Sequence, residues 1–197
     1  MRNGSGMQIA SGLIAAFIML NAGIVSAEAV TGKAAKKALF SGSKLEVQVQ
    51  KQPFLTDDQA KILGSVAMQQ PYYGAIAVSP DEGLMSEATI AAANYHTVEA
   101  ATVAALAECD AARKGAASCV IVATVRPKGW EPRAVQLSSD ASDAFRKEYG
   151  GTGGALAVSA STGTWATAQG DNAAEAAISA CMAKLKGVKD CSVIIAD

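Results

Sequence analysis

Four cysteines and one histidine are the residues of this 197-residue chain with the greatest chemical reach. Cys109 and Cys119 stand ten positions apart, and so do Cys181 and Cys191. Three fates are open to them: two disulfides, a metal site, or buried free thiols. Zinc prefers Cys-x2–4-Cys spacing, and nine intervening residues, used twice beside a single histidine, match that poorly. Neither pair has the Cys-x-x-Cys arrangement that lowers a thiol pKa for redox work. The spacing predicts a disulfide within each pair, closing a loop worth roughly 2.5 to 3 kcal/mol by the chain-entropy argument, whose mechanism is disputed.

His96 stands in Asn94-Tyr95-His96-Thr97, directly before a helical pattern. A helix N-terminus disfavours a charged imidazole, and a catalytic base needs a nucleophile and an orienting carboxylate. Gly-x-Ser-x-Gly is absent. The carboxylate pairs Asp57-Asp58 and Asp81-Glu82 sit at a helix start and in a turn, which account for them. His96 is therefore expected at the surface or as a cap, and no catalytic, cofactor or metal residue is read. Tyr72, Tyr73, Tyr95 and Trp130 fall in or near turns, where amphipathic rings either line a groove or plug the ends of a sheet. A binding surface of Tyr72, Tyr73, Tyr95, His96 and Trp130, with the loop 126–132, is the expectation. The glycines of 150–154 precede a strand, whereas a phosphate cradle follows a strand and opens a helix, so they read as a hinge.

The elements that hold these residues are legible because they occur twice. At an offset of 72, Ala104, Ala105, Ala111, Lys114 and Gly115 meet Ala176, Ala177, Ala183, Lys186 and Gly187 around the cysteine pairs. At an offset of 80, Gly74-Ala75-Ile76-Ala77-Val78-Ser79 returns as Gly154-Ala155-Leu156-Ala157-Val158-Ser159, so the second copy is shorter by eight residues. Each copy opens with a short apolar run that reads as a buried strand, and 84–92 reads as a second strand pairing back. Val98, Ala101, Thr102, Ala105, Leu106 and Cys109 form one helical stripe behind Thr97 as N-cap, with Gly115 as a left-handed stop. The second stripe is Ala174, Ala177, Ile178, Cys181 and Leu185, with Asn172 and Glu175 as capping box and Gly187 as stop. The predicted fold is α+β: two tandem β-β-α-β repeats at 72–126 and 151–197 share one largely antiparallel sheet. A linker with a short helix capped by Ser138 or Ser139 occupies 127–150. In the N-terminal extension, 28–71, residues 44–50 alternate like an edge strand, and Thr56-Asp57-Asp58-Gln59 opens a helix to about Gln69.

Arg2, an apolar run over 13–20 and small residues at Val25 and Ala27 read as a secretory signal peptide cut after Ala27, and a start at Met7 leaves that reading intact. The run is interrupted by Asn21, Gly23 and Ser26, so no stable membrane anchor is expected after cleavage. Loss of Arg2 leaves 16 basic against 18 acidic side chains, no footprint for nucleic acid. The cluster of Lys33, Lys36, Lys37 and Lys44 reads as a solvated face. The remaining 170 residues suffice for one domain, in a periplasmic or secreted compartment where disulfides persist.

The blocks Gly-Ala-Ile-Ala-Val-Ser…Ala-Ala-Leu-Ala-Glu-Cys…Cys-Val-Ile and Gly-Ala-Leu-Ala-Val-Ser…Ala-Ile-Ser-Ala-Cys…Cys-Ser-Val-Ile resemble a bacterial secreted domain family of unknown function, over about residues 72–197. Short exported proteins similar to this one, sharing runs such as Pro71-Tyr72-Tyr73-Gly74 and Ser79-Pro80-Asp81-Glu82-Gly83, sometimes carry a 5-aminolevulinate synthase label. That label implies pyridoxal phosphate on a Schiff-base lysine, a lysine context not read here. The function expected is a binding or interaction module for an unknown protein or small-molecule ligand. Its rivals are an exported enzyme, either hydrolase-like with Ser, His96 and an acid or tetrapyrrole-related, and an inhibitor of another exported enzyme.

Overall fold

Short runs of alternating alanine and larger aliphatic residues build the centre of the fold, seen in a computed structural model that describes Met1, residues 28–40 and residues 44–197. The expected leader, Met1 apart, lies outside the described residues. Strand β2 (Gly74–Val78) lies between β3 (Ile90–Ala92) and β4 (Val120–Pro127), and β1 (Leu45–Val49) adds to the far edge of β4. Strand β5 (Gly154–Ser159) lies between β6 (Trp165–Gln169) and β7 (Cys191–Ala196) in a second sheet. Every strand pairing in both sheets is antiparallel.

The helices are α1 (Gly32–Ala38), α2 (Asp57–Ala67), α3 (Val98–Ala112), α4 (Ser139–Glu148) and α5 (Ala173–Ala183). Side chains alternate across a strand, and the central strands use this to serve two layers at once. Ala75 and Ala77 face Ala101, Ala105 and Cys109 of α3, while Ile76 and Val78 face Leu63 and Ala67 of α2. In the second sheet Ala155 and Ala157 meet Ala177 and Cys181 of α5, while Leu156 and Val158 meet Ala141, Phe145 and Tyr149 of α4. Alanine on alanine lets α3 and α5 approach closely, and the bulkier side chains fill the opposite layer. Truncating a fully buried one such as Leu156 to Ala should cost about 2–5 kcal/mol.

The two halves coincide in element order and in pairing register. Ile76 opposes Ala123 and Ala77 opposes Ile121, with a bulge between them; Leu156 opposes Ile195 and Ala157 opposes Val193, with a bulge at the same place. Offsets of 80 along the first strand and 72 along the last carry one set of pairs onto the other. The flanking strands pair as Ala75 with Ala92 and Ala155 with Ala168, an offset of 76 on β3 and β6. The second half is thus shortened by four residues on either side of its second strand.

Several expectations need correction. The copies do not share one sheet: both edges of β2 and of β5 are taken within their own half. The outer edge of β4 is filled by β1, and β7 receives a parallel bridge from Val30. The second strand of the first copy is only Ile90–Ala92, because 79–89 is a set of turns tied by the Thr89 hydroxyl to the Leu84 carbonyl at 2.8 Å. Asn172 precedes α5 without a side-chain cap bond, whereas Thr31, Thr56, Thr97 and Ser138 all accept one. Gly115 is not left-handed. α3 ends at Ala112 with Arg113 extended, and what Gly115 provides is room, since a Cβ there would lie 2.7 Å from Cβ of Asp81. Helix α1 was not anticipated, although its cap, Thr31 Oγ1 accepting from Ala34 N, was present in the sequence.

Candidate functional site

The residues expected to form a binding surface divide into a buried joint and one open groove. In the joint, the turn between β3 and α3 meets α4 and the turn between β5 and β6. Asn94 takes a left-handed backbone (φ 64°), which asparagine tolerates. Its side chain donates to Asp140 Oδ2 at 2.8 Å and accepts from Asp140 N at 3.1 Å. Gly163 passes so close that a Cβ there would sit 1.9 Å from the Asn94 carbonyl oxygen, so the crossing needs glycine.

His96, 3 % exposed, fills the centre of this joint. Its Nδ1 accepts from Ser138 N at 3.0 Å, and its Nε2 lies 3.0 Å from the Thr164 carbonyl oxygen. A ring nitrogen that accepts an N–H carries no proton, so this network assigns the proton to Nε2, which donates to Thr164. Burial holds the imidazole pKa below its ordinary value, and the neutral ring bonds one half to the other. The surface or capping role expected for His96 is therefore replaced by an interior staple. Tyr72 and Tyr73 are also buried, ring edge to ring face with centroids 5.4 Å apart. Their carbonyls accept from Ser139 N and Tyr95 N, at 3.1 and 3.0 Å. Burial raises the Tyr73 phenol. Tyr72, Tyr73 and His96 thus lie buried in the joint rather than at an exposed turn, and Tyr95 is half-buried beside α3.

Cys109 pairs with Cys119 and Cys181 with Cys191, with Cα separations of 6.1 and 6.2 Å, and all four are buried. Each bond ties the core face of a helix to the start of the strand returning beneath it, which removes the thiols from metal or nucleophilic chemistry. The loops they close are further braced by carboxylates in mirrored roles. In the first half Glu82 accepts from Lys114 N and Gly115 N, and Asp81 accepts from Ala117 N. In the second half the acid comes from the other partner: Asp190 accepts from the Ser159 hydroxyl at 2.6 Å and Ser161 N at 2.7 Å. Burial tends to raise the Asp190 carboxyl, but these hydrogen bonds hold it below its usual value. Asp110 is held low first by the Cys119 N–H and then by Arg113.

Trp130 is the expected residue that opens to solvent on a groove. Helix α3 covers one face of β2, β3 and β4 but stops short of β1. On the strip left open, Gln48 opposes Thr124 and Glu46 opposes Arg126 across the β1–β4 pair. Gln48, Gln50, Thr124, Arg126 and Trp130, with Val98 and Glu99 from the start of α3, enclose about 190 Å³. The Arg126 guanidinium lies 5.3 Å from the indole centroid and 2.8 Å from Glu46, whose carboxyl it holds below the ordinary value. Trp130 Nε1 donates to Gln136 Oε1 at 3.0 Å. Arg126 Nε is buried and has no partner among the described residues. Sequence reasoning placed Arg126 with Trp130 in the loop 126–132 but missed Gln48, Gln50 and Thr124 as their neighbours; the alternation of β1 was the available signal.

Further concavities include a shallow depression of about 570 Å³ beside α1 and Tyr149 and an apolar cleft of about 220 Å³ between α2 and Leu84 and Met85. Among the described residues, no cluster of His, Cys, Asp and Glu could hold a metal ion, and no helix is long and apolar enough to cross a membrane.

The arrangement defines an α+β domain of two disulfide-closed halves, stapled by a buried neutral histidine and carrying one polar groove against an indole. The chain belongs to the family described as Domain of unknown function (DUF4189), which matches residues 73–197. No curated protein matches the chain, and neither does any solved structure. The matched segment supplies Val98, Glu99, Thr124, Arg126 and Trp130 of the groove, while Gln48 and Gln50 come from the strand before it.

Proposed function

We propose that the chain is an exported binding module, released from its leader after Ala27, that takes its ligand in the Trp130 groove. The reading treats residues 72–126 and 151–197 as one unit used twice, with the first copy specialised. The carrying observation is the strip that β1 adds to the first sheet alone. Gln48, Gln50 and Thr124 lie beside an indole on the face of the β1–β4 pair opposite α2, at the edge of α3, and none of the three makes a side-chain hydrogen bond among the described residues. Two disulfides and the braced loops around them suit a rigid scaffold that must last outside the cytosol. A pre-formed, rigid site loses less entropy when it binds.

The test is a thermal-shift screen of the mature protein, residues 28–197, against a soluble metabolite and oligosaccharide library, repeated on Trp130→Ala. Hits that stabilise the wild type and leave the variant unmoved support the groove. Hits that stabilise both equally contradict it. Intact mass of protein recovered from the exported fraction checks the leader, with Glu28 as the expected first residue.

A further inference from the structure

We infer that the groove recognises an uncharged saccharide ring, a conclusion that rests on the Trp130 groove being the binding site and goes on to name its ligand class. The first argument is size. Sites for drug-sized ligands run to roughly 300–1,000 Å³, and about 190 Å³ holds a single ring rather than a dinucleotide or a folded peptide.

The second argument is charge. Two charged side chains line the groove. Arg126, its one cation, is paired with Glu46 at 2.8 Å, and Glu99 lies in the first turn of α3, where the helix N-terminus favours an anion. An anionic ligand would have to displace the Arg126–Glu46 pair.

The third argument is hydrogen-bonding capacity. Gln48 and Gln50 each offer an amide donor and an acceptor, and Thr124 offers a hydroxyl that does both. A lining in which donors and acceptors alternate suits hydroxyl groups, which also do both. A carboxylate or phosphate would need donors alone, and an ammonium acceptors alone. The indole of Trp130 supplies the fourth element, an apolar wall with a polar edge already satisfied by Gln136, against which the C–H face of a pyranose can rest. The apolar cleft beside Met85 has Thr89 as its one polar side chain, and that hydroxyl already donates to the Leu84 carbonyl.

The experiment follows the indole N–H signal of Trp130 in a 15N-correlated NMR titration of the disulfide-intact protein; the chain has two tryptophans, and Trp130→Phe identifies the signal. The probes are cellobiose and N,N′-diacetylchitobiose as neutral sugars, digalacturonate as an anionic sugar, and diglycine as a small peptide. The inference expects saturable movement with a neutral disaccharide, at least tenfold weaker with digalacturonate and diglycine. The double variant Gln48→Ala/Gln50→Ala, altered only at the open strip, is expected to weaken the neutral sugar about tenfold with an unchanged far-ultraviolet spectrum. Preferential binding of digalacturonate or diglycine at Trp130 overturns the saccharide class while the groove stands. Silence from all four overturns this inference, and the Trp130→Ala screen above then decides the groove separately.

Discussion

Replacing His96 by leucine isolates the staple between the halves, because leucine fills a comparable volume and offers no nitrogen. Ser138 N, which donates to Nδ1 at 3.0 Å, is left without a partner, while the Thr164 carbonyl, 3.0 Å from Nε2, loses one bond and keeps that from Ser159 N at 2.9 Å. An orphaned buried polar group costs about 1–3 kcal/mol and an ordinary hydrogen bond contributes about 0.5–1.5 kcal/mol, so the variant should lose roughly 1.5–4.5 kcal/mol from a total that for ordinary domains is about 5–15 kcal/mol. At 2–4 °C per kcal/mol for a chain of this length, a loss near 3 kcal/mol lowers Tm by about 6–12 °C. The pH dependence supplies a second signature. Burial lowers the folded-state pKa of His96, so on acidification the unfolded chain takes up the proton first. Stability is then fully present above about pH 6.5 and is lost as pH falls from there toward the folded pKa, at up to about 1.4 kcal/mol per unit. His96 is the single histidine, so the window between about pH 5.5 and 6.5 belongs to it. Urea unfolding across that window measures both effects. A leucine variant within about 0.5 kcal/mol of the parent, or one that keeps the parent's slope below pH 6.5, refutes the staple.

Removing the second disulfide as Cys181→Ala/Cys191→Ala should cost about 3 kcal/mol by loop entropy, read as a lower urea midpoint under oxidising conditions. Gly163→Ala should destabilise by more than about 2 kcal/mol in the same assay, since its Cβ would collide with the Asn94 carbonyl oxygen and the joint must open to admit it. Asp190→Asn should cost about 1 kcal/mol at neutral pH, a modest figure because the carboxylate is partly solvated. The carboxyl sits below its ordinary value when folded, so its contribution is present above the unfolded pKa and disappears as pH falls through the folded one. The parent and the asparagine variant should therefore converge in acid.

Most of what the sequence discloses about this fold is local or repeated. The capping box of Thr56 and Gln59, a serine cap at 138 or 139 and the short apolar run of β2 each depend on residues a few positions apart; the first and last appear as read, and Ser138 takes the cap. The cysteine pairing was legible for the same reason, since ten residues separate the partners. Sheet membership was not. It turns on which distant strand takes a free edge, and β1, from before residue 72, takes that of β4. The aromatic cluster misled because Tyr72, Tyr73 and His96 sit beside turns, where exposure is the ordinary expectation. Their burial arises from the second half and α4 closing over them, through Thr164 and Ser138, which are 68 and 42 residues from His96. The groove fell between these cases: Trp130 was visible as an aromatic in a loop, but its polar neighbours come from a strand pair whose register no local pattern reveals.

Each half carries its own sulfur bridge, which ties a helix to the strand that follows it. Non-reducing peptide mapping of the native protein, after alkylation of any free thiol, tests that directly. Two linked peptide pairs are predicted, one holding Cys109 with Cys119 and the other Cys181 with Cys191, and no alkylated cysteine. Alkylated thiols, or a bridge from Cys109 or Cys119 to the second half, would contradict the account.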